Sequence, residues 1–149
     1  MLIKLAYRLS RFYWFLVRPV TLGTRIMLVK DDKIVLVKHS YQDAWYLPGG
    51  GVKRGETLEQ SIRREAAEEC GATLNQIQFL GIYTNFVEFK SDHIALFLSR
   101  DFTLTNLHDR EIEKVATFSL HQLPGKLSPG SRQKIRAFIN ENLDNTGMW

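Results

Sequence analysis

Cysteine, proline and long apolar runs are all scarce in this 149-residue sequence. The single cysteine, Cys70, excludes an intrachain disulfide and fits a reducing, cytoplasmic setting. The longest apolar run, residues 12–17, is too short for a transmembrane helix or for most signal-peptide cores. We find no internal repeat and no low-complexity tract. These absences leave a chain of the size of one domain with a single hydrophobic core.

Acidic residues are absent from the first eighteen positions, which carry Lys4, Arg8, Arg11 and Arg18. The whole chain has 20 Lys and Arg against 16 Asp and Glu, so the rest of the chain is balanced. The net charge of +4 therefore belongs to this one segment. Because the basic residues are not spread over the domain, we expect no DNA partner.

The N-terminal segment also has helical periodicity. Its apolar residues recur at helical spacing: Leu2, Leu5, Leu9, Phe12 and Leu16. Pro19 would end such a helix, so we predict a basic amphipathic helix over residues 1–18 and a domain over residues 19–149. The pattern leaves three roles open: packing on the domain, contact with a second subunit in a homodimer, or contact with anionic lipid at a membrane surface.

Short β-rich segments occupy much of the remaining chain. Residues 24–29 and 34–38 predict the two strands of a hairpin, and residues 45–47 predict a short strand before a glycine-rich loop. Further strands are predicted at residues 77–83, 86–89 and 93–98 and within residues 111–120.

Two helices are predicted in the domain. Thr57 can cap the first, Gln60 completes a capping box, and Gly71 is the usual left-handed terminator. The second helix is predicted to begin at Ser131, and residues 144–149 are predicted to fray. This order of elements predicts an α/β fold, with a mixed sheet between helices.

Three glutamates of the first helix fall on one side of it. At about 100° per residue, Glu65, Glu69 and Glu68 lie within about 100° of one another, in the sector that also holds Leu58 and Ile62. Clustered carboxylates beside a buried stripe repel one another, and a divalent cation such as Mg²⁺ or Mn²⁺ is the simplest compensation. The helical wheel alone leaves a solvated acidic face as the alternative.

The segment Gly50–Ala72 resembles the Nudix box, written G-x5-E-x7-R-E-U-x-E-E-x-G-U, where U is aliphatic. Every fixed position is matched, by Gly50, Glu56, Arg64, Glu65, Glu68, Glu69 and Gly71, and alanine stands at both U positions. The preceding YLPGG is also typical of the family. The resemblance implies a Nudix-type α/β/α sandwich over roughly residues 21–142, with the first eighteen residues outside it.

The resemblance also implies an activity, which is the metal-dependent hydrolysis of a pyrophosphate bond. It assigns Glu65, Glu68 and Glu69 as ligands of Mg²⁺ or Mn²⁺, with the Gly49 carbonyl as an additional ligand. The implied substrate is a nucleoside diphosphate linked to another moiety, or a nucleoside triphosphate. Alternatives are RNA 5′ ends, a non-nucleotide diphosphate, and a non-catalytic nucleotide-binding sensor.

Catalytic roles follow from the same resemblance. Glu65 is a candidate to orient or deprotonate the attacking water, and Glu69 is placed in the catalytic set with it. Arg64 and Glu56 are expected to hold the metal-binding glutamates in place. Glu111 is a candidate for a fourth ligand or for the general base.

The substrate pocket is less well marked in the sequence. Trp45 and Phe86 are candidates to stack on a base, although each could equally belong to the core. Lys38 and Arg25 are candidates to meet phosphates, although isolated basic residues are usually just solvated.

Overall fold

The computed structural model describes residues 9–10, 12–13, 15–87, 89–105 and 108–149. The strands named within this part of the chain are β1 Val20–Lys30, β2 Lys33–His39, β3 Trp45–Tyr46, β4 Ala72–Val87, β5 Lys90–Leu104, β6 Ile112–Ser119 and β7 Thr146–Met148. The helices of the domain are α1 Leu58–Cys70 and α2 Pro129–Ile139.

The predicted N-terminal helix is only partly described. Residues 9–10, 12–13 and 15–17 are helical, and residues 1–8 lie outside the described residues. No helix among the described residues is long and apolar enough to cross a membrane.

The strands form one mixed sheet with the order β3-β2-β1-β5-β4-β7, and β6 also pairs with β2. The central pair, β1 and β5, is parallel, whereas β4 and β5 are antiparallel. Alternate residues of β1 face opposite sides of the sheet. Ile26 packs with Ile62 of α1, and Met27 packs with Ile135 of α2. The predicted mixed α/β sandwich is confirmed.

Helix α1 begins and ends at the residues that the sequence predicts. Thr57 accepts a hydrogen bond from the Gln60 backbone and completes the capping box, and Gly71 adopts the left-handed conformation with φ of 62°. Ile62, Ala66 and Cys70 are its buried apolar residues. Cys70 is therefore a packing residue, and burial raises the pKa of its thiol.

The separate strands predicted at residues 77–83, 86–89 and 93–98 were wrong in extent. The structure has two long strands, β4 and β5, and Phe89 lies in the turn between them with φ of 65°. The β4–β5 register shifts at three places, so the pairing continues across residues that interrupt the apolar alternation. Polar residues such as Asn85 and Asp92 hid this continuity in the sequence.

The prediction that residues 144–149 fray was also wrong. Strand β7 pairs in parallel with β4, and the Trp149 backbone N–H donates to the Thr84 carbonyl over 2.9 Å. The Lys134 ammonium donates to the Met148 carbonyl over 2.5 Å. These long-range bonds hold the segment, and sequence position alone gives no signal of them.

Substitution of Gly81 by Ala tests how closely this segment is held. A Cβ at Gly81 would overlap the Asn145 carbonyl oxygen, which is backbone and cannot rotate away. We expect Gly81→Ala to lower the free energy of unfolding by about 1–3 kcal/mol in urea denaturation. Gly125→Ala is the matched control, because a Cβ there meets nothing within 4 Å and should change stability little. Equal stability of the two variants would contradict the packing described here.

Candidate active site

Three glutamates of α1, Glu65, Glu68 and Glu69, line a cavity of about 290 Å³ on one side of the domain. Glu69 is only 8% exposed, whereas Glu68 is more open to solvent. This acidic cavity is lined by five carboxylates and two cationic groups: Glu65, Glu68, Glu69, Asp109, Glu111, Lys53 and Arg64. The walls therefore carry an excess of negative charge, which favours a cationic occupant.

Arg64 holds the carboxylates around it in fixed positions. Its guanidinium donates to both oxygens of Glu56 over 2.6 and 3.0 Å, to Glu65 over 2.6 Å and to Glu68 over 3.0 Å. It also donates to the Gly51 carbonyl over 3.1 Å. Hydrogen bonds from Arg64, with one from the Lys53 backbone, lower the pKa of Glu56 to about 2. Arg64 thus ties the glycine loop, residues 48–51, to the acidic face of α1.

Glu69 lies behind the glycine loop. Its Oε2 accepts the Gly49 backbone N–H over 2.7 Å, and its Oε1 lies 3.7 Å from Nε2 of His39. Burial raises the pKa of Glu69 to about 7, and Glu65 and Glu111 contribute in the same direction. Burial, with Arg25, lowers the pKa of His39 to about 4, so the imidazole is neutral at pH 7. The contact is therefore not an ion pair. Among the residues that the structure describes, no Lys or Arg forms an ion pair with Glu69, although Arg25 is near enough to lower its pKa in part.

The glycine loop can lie here because it has no side chains. A Cβ at Gly49 would overlap the Thr24 carbonyl oxygen, and one at Gly50 would lie 2.7 Å from the Glu65 carboxylate. Arg25 fixes the loop from the other side, since it donates to the Leu47 carbonyl over 2.9 Å and to the Gly49 carbonyl over 2.6 Å.

A larger cavity, of about 680 Å³, opens on the other side of this loop. Its walls include Gly50 and Gly51 of the loop, Arg25 of β1, and the aromatic side chains of Tyr46 and Trp149. Because Gly50 lines the large cavity and abuts Glu65 of the acidic cavity, the two cavities are neighbours across the loop.

The structure brings together most of the residues singled out from the sequence. Glu65, Glu68, Glu69, Arg64 and Glu111 line the acidic cavity, and Glu56 is hydrogen-bonded to Arg64. Gly49 meets Glu69 through its backbone N–H, whereas its carbonyl, the predicted ligand, accepts a hydrogen bond from Arg25. Arg25 lines the large cavity.

The other proposed substrate contacts lie elsewhere. Trp45 packs edge-to-face on Phe118, with ring centroids 4.9 Å apart, and its neighbour Tyr46 lines the large cavity instead. Lys38 pairs with Asp43 and Glu113 at 3.6 and 3.3 Å. Phe86 is an exposed residue at the end of β4.

Sequence reasoning missed Asp109, Tyr46 and Trp149 as wall residues. Asp109 is brought in by its backbone N–H, which donates to the Glu68 carbonyl near the end of α1. An acid in the loop before β6 was a usable signal, as it was for Glu111. Trp149 depends on the pairing of β7, for which the sequence carries no local signal.

The side chains of the acidic cavity fit a divalent cation by their chemistry, because hard cations bind carboxylate oxygens. Among the residues that the structure describes, no three His, Cys, Asp or Glu side chains converge closely enough to hold a metal ion. The reason is visible in the contacts, since Arg64 engages Glu65 and Glu68 while the loop engages Glu69. Cation binding would have to draw these carboxylates together.

Burial of Glu69 makes the stability of the metal-free protein depend on pH. The pKa in the folded state, about 7, lies above the ordinary value of 4.5, so the proton stabilises the fold at low pH. That stabilisation is complete below the ordinary pKa and is lost as the pH rises through about 7. In EDTA, we expect the unfolding free energy of the wild type to fall relative to Glu69→Gln by up to about 3 kcal/mol between about pH 5 and pH 9. Parallel pH profiles for the two proteins would show that Glu69 is not buried as described.

Comparison with known proteins gives the family. The family model of the NUDIX domain matches residues 20–138 of this sequence. YvcI, a Nudix hydrolase of Bacillus subtilis, is 28% identical over 114 residues, which is 72% of each chain. An RNA pyrophosphohydrolase of Hydrogenovibrio crunogenus is 41% identical over 56 residues, 38% of this chain and 34% of the relative.

An ADP-ribose pyrophosphatase of Methanocaldococcus jannaschii is 37% identical over 62 residues, 40% of this chain and 37% of the relative. The chain thus spans little more than a third of the length of these last two relatives. The crystal structure of a MutT NUDIX hydrolase from Burkholderia pseudomallei superposes with a TM-score of 0.71 at 24% identity, covering 78% of this chain and 96% of that one. Because the family model matches most of this chain, the chain belongs to the Nudix hydrolase family.

Proposed function

We propose that this Nudix hydrolase cleaves the pyrophosphate bond of a nucleoside diphosphate linked to a second moiety, with Mg²⁺ or Mn²⁺ as its cofactor. The observation that carries the proposal is the pair of neighbouring cavities, which the glycine loop divides. The acidic cavity suits a cation and a diphosphate. The large cavity, with polar and aromatic walls, suits the organic part of the substrate.

Glu65, Glu68 and Glu69 would hold the cation. The Gly49 carbonyl would join them only by giving up the hydrogen bond that it accepts from Arg25. When bound, a divalent cation polarises phosphate oxygens and lowers the pKa of a coordinated water. Arg64 and Glu56 position the ligands, because the guanidinium spans Glu56, Glu65 and Glu68.

The residues of the acidic cavity also supply groups for proton transfer and charge. Glu65 is one candidate to accept a proton from the attacking water, and its hydrogen bond from Arg64 fixes the position of the carboxylate. Glu111 is the other candidate, since it lines the same cavity from the loop before β6. Lys53, whose ammonium lies 4.0 Å from Glu68, can offset negative charge on the phosphates.

The large cavity holds the groups suited to a nucleoside. Tyr46 and Trp149 present aromatic side chains, and Ser128 and Ser131 at the start of α2 add hydroxyl groups. The indole of Trp149 packs near Tyr83, with ring centroids 6.0 Å apart, and next to Gly130, where a Cβ would overlap it. These contacts keep the indole in one place and reduce the entropy lost on stacking.

Similarity to relatives gives more support for cleavage of a pyrophosphate bond than for any particular moiety attached to the diphosphate. The two relatives with named substrates act on RNA and on ADP-ribose, and each matches well under half of this chain. RNA 5′ ends and non-nucleotide diphosphates therefore stay as alternative substrates. The acidic cavity and the full set of box residues favour an enzyme over a binding-only sensor.

We also propose that the protein works in the cytoplasm. Its single thiol is buried and protonated, so nothing in the chain requires an oxidising compartment.

A substrate screen tests the proposal directly. The full chain with Mg²⁺ or Mn²⁺ is incubated with nucleoside triphosphates, nucleoside diphosphate sugars, dinucleoside polyphosphates, triphosphorylated RNA and non-nucleotide diphosphates. Phosphate released after phosphatase treatment is measured with and without EDTA. We expect turnover of a nucleotide-linked diphosphate that EDTA abolishes, whereas turnover that persists in EDTA would contradict the mechanism.

Glu69→Gln tests the metal site within this reaction. The change keeps the size and hydrogen-bonding capacity of the side chain but removes a charge from the cation's ligands. We expect kcat on the substrate found by the screen to fall by about a hundredfold or more, which corresponds to roughly 3 kcal/mol in the barrier. The rise in melting temperature on adding Mn²⁺ should shrink as well, because it reports cation affinity.

Glu59→Gln is the matched control for Glu69→Gln. Glu59 lies on the same helix, is exposed, and pairs only with Arg63 among the contacts described. It should keep kcat and the Mn²⁺ effect within about twofold. Near-normal turnover of Glu69→Gln would remove Glu69 from the ligand set.

Trp149→Ala tests the large cavity. Loss of the stacking surface should raise KM about tenfold while kcat changes little, because the indole is far from the reacting phosphorus in this proposal. Met148→Ala is the control, since Met148 is the last residue of β7, directly precedes Trp149 and is exposed. An unchanged KM in Trp149→Ala would place the organic part of the substrate elsewhere.

A further inference from the structure

Large apolar side chains are exposed in two segments of the chain, the N-terminal helical residues 9–17 and the turn between β4 and β5. In the helical segment they are Leu9, Phe12, Tyr13, Phe15, Leu16 and Val17, and at the β4–β5 turn they are Phe86, Val87 and Phe89. Their exposed fractions lie between 43% and 69%. We call these residues the N-terminal apolar surface.

The two parts of this surface are joined. The rings of Phe15 and Phe89 meet edge-to-face, with centroids 5.1 Å apart. The Ser91 backbone N–H donates to the Pro19 carbonyl over 3.1 Å, and β1 pairs with β5 from Val20 and Ser91 onward. The surface is therefore one contiguous patch, and contiguous exposed apolar patches mark interaction sites.

The apolar face of the N-terminal helical segment is exposed as a whole in the residues that the structure describes. Leu9, Phe12, Tyr13 and Leu16 fall within about 100° of one another on a helix, which is the width of a face that normally packs. All four are more than half exposed. Packing of this face on the domain, one of the roles that the sequence left open, is therefore not what the structure shows for the described residues.

Phe89 adds an independent observation. Its φ of 65° is a left-handed conformation, which costs a bulky residue roughly 1–2 kcal/mol and which Gly or Asn adopts more readily. Its side chain is about half exposed, so the fold gains little burial in return. A phenylalanine at this position stabilises the protein poorly but presents an aromatic ring to whatever contacts the patch.

Charge distinguishes between the possible occupants of the patch. The first eighteen residues of the sequence carry Lys4, Arg8, Arg11 and Arg18 and no acid. Two copies of the chain joined through this segment would bring like charges together, whereas an anionic surface would complement them. Aromatic and aliphatic side chains next to basic residues are the pattern of segments that lie in a membrane interface.

We propose that the N-terminal apolar surface docks on an anionic lipid bilayer. Apolar side chains of the helical segment and of the β4–β5 turn enter the boundary between headgroups and acyl chains, and the basic residues of the segment meet lipid phosphates. Val87 and Lys90 also line the large cavity, so docking brings one wall of that cavity to the lipid surface.

Vesicle sedimentation of the full chain tests the proposal. Vesicles of phosphatidylcholine alone are compared with vesicles of phosphatidylcholine and phosphatidylglycerol, at low and high salt, and light scattering gives the oligomeric state without lipid. We expect binding at least about tenfold stronger to the anionic vesicles and weakened by salt, because the cations contribute only when the lipid is charged.

Three variants separate the apolar and charged contributions. Phe12→Ser with Leu16→Ser, and Arg18→Glu, should each reduce binding to anionic vesicles by about tenfold or more. Melting temperature should hold, since these side chains are exposed. Leu104→Ser is the matched control, because Leu104 is an exposed apolar residue at the opposite end of β5 and should bind like the wild type.

Two outcomes would overturn the proposal. Equal binding to neutral and anionic vesicles, or none to either, would remove the anionic bilayer as the occupant. Self-association without lipid that the Phe12→Ser, Leu16→Ser variant abolishes, together with no vesicle binding, would assign the surface to a second copy of the chain. Neither outcome bears on hydrolysis, so the proposed function would be judged separately.

Discussion

The approach of the glycine loop to helix α1 is the constraint on which the rest of the site depends. Gly49 lies where a side chain would overlap β1, and Gly50 lies where one would press on Glu65. The absence of two Cβ atoms lets the Gly49 backbone N–H reach the buried Glu69 carboxylate directly. The same loop separates the acidic cavity from the large one, so a single backbone feature sets both halves of the candidate site.

The electrostatics of the site follow from that approach. Glu69 is buried behind the loop with one backbone hydrogen bond, and its pKa is raised to about 7 because water is excluded. Arg64 compensates part of the charge by bonding Glu56, Glu65 and Glu68. The excess of carboxylates over cationic groups is unfavourable without a ligand, and binding of a cation would relieve it.

Much of this could be predicted from the sequence, because its signals were local. The capping residues Thr57 and Gln60, the terminator Gly71 and the helical spacing of the glutamates each concern neighbours along the chain. The Asp31–Asp32 turn between β1 and β2 is a further local case, since both residues adopt positive φ as tight hairpins require.

What could not be predicted depends on pairing over long distances. Trp45 and Tyr46 are adjacent and point to opposite faces of the sheet, so choosing between them as a cavity residue needs the register of β3. Trp149 reaches the large cavity only because β7 pairs with β4. That pairing requires a glycine at position 81, since a Cβ there would overlap the backbone of Asn145. The ion pairs that occupy Lys38 likewise involve Glu113 on a distant strand. The composition of the chain and the spacing of its residues do not predict such contacts.

Paramagnetic broadening by Mn²⁺ in a backbone NMR spectrum of the full chain tests the central claim most directly. If the acidic cavity holds the cation, substoichiometric Mn²⁺ should first broaden the amide signals of residues 49–53, 65–69 and 109–112, and excess Mg²⁺ should restore them. The exposed acids Asp31 and Asp32, in the turn remote from that cavity, should be affected only at higher Mn²⁺ concentration. Broadening that begins at that turn, or that is uniform along the chain, would contradict the account.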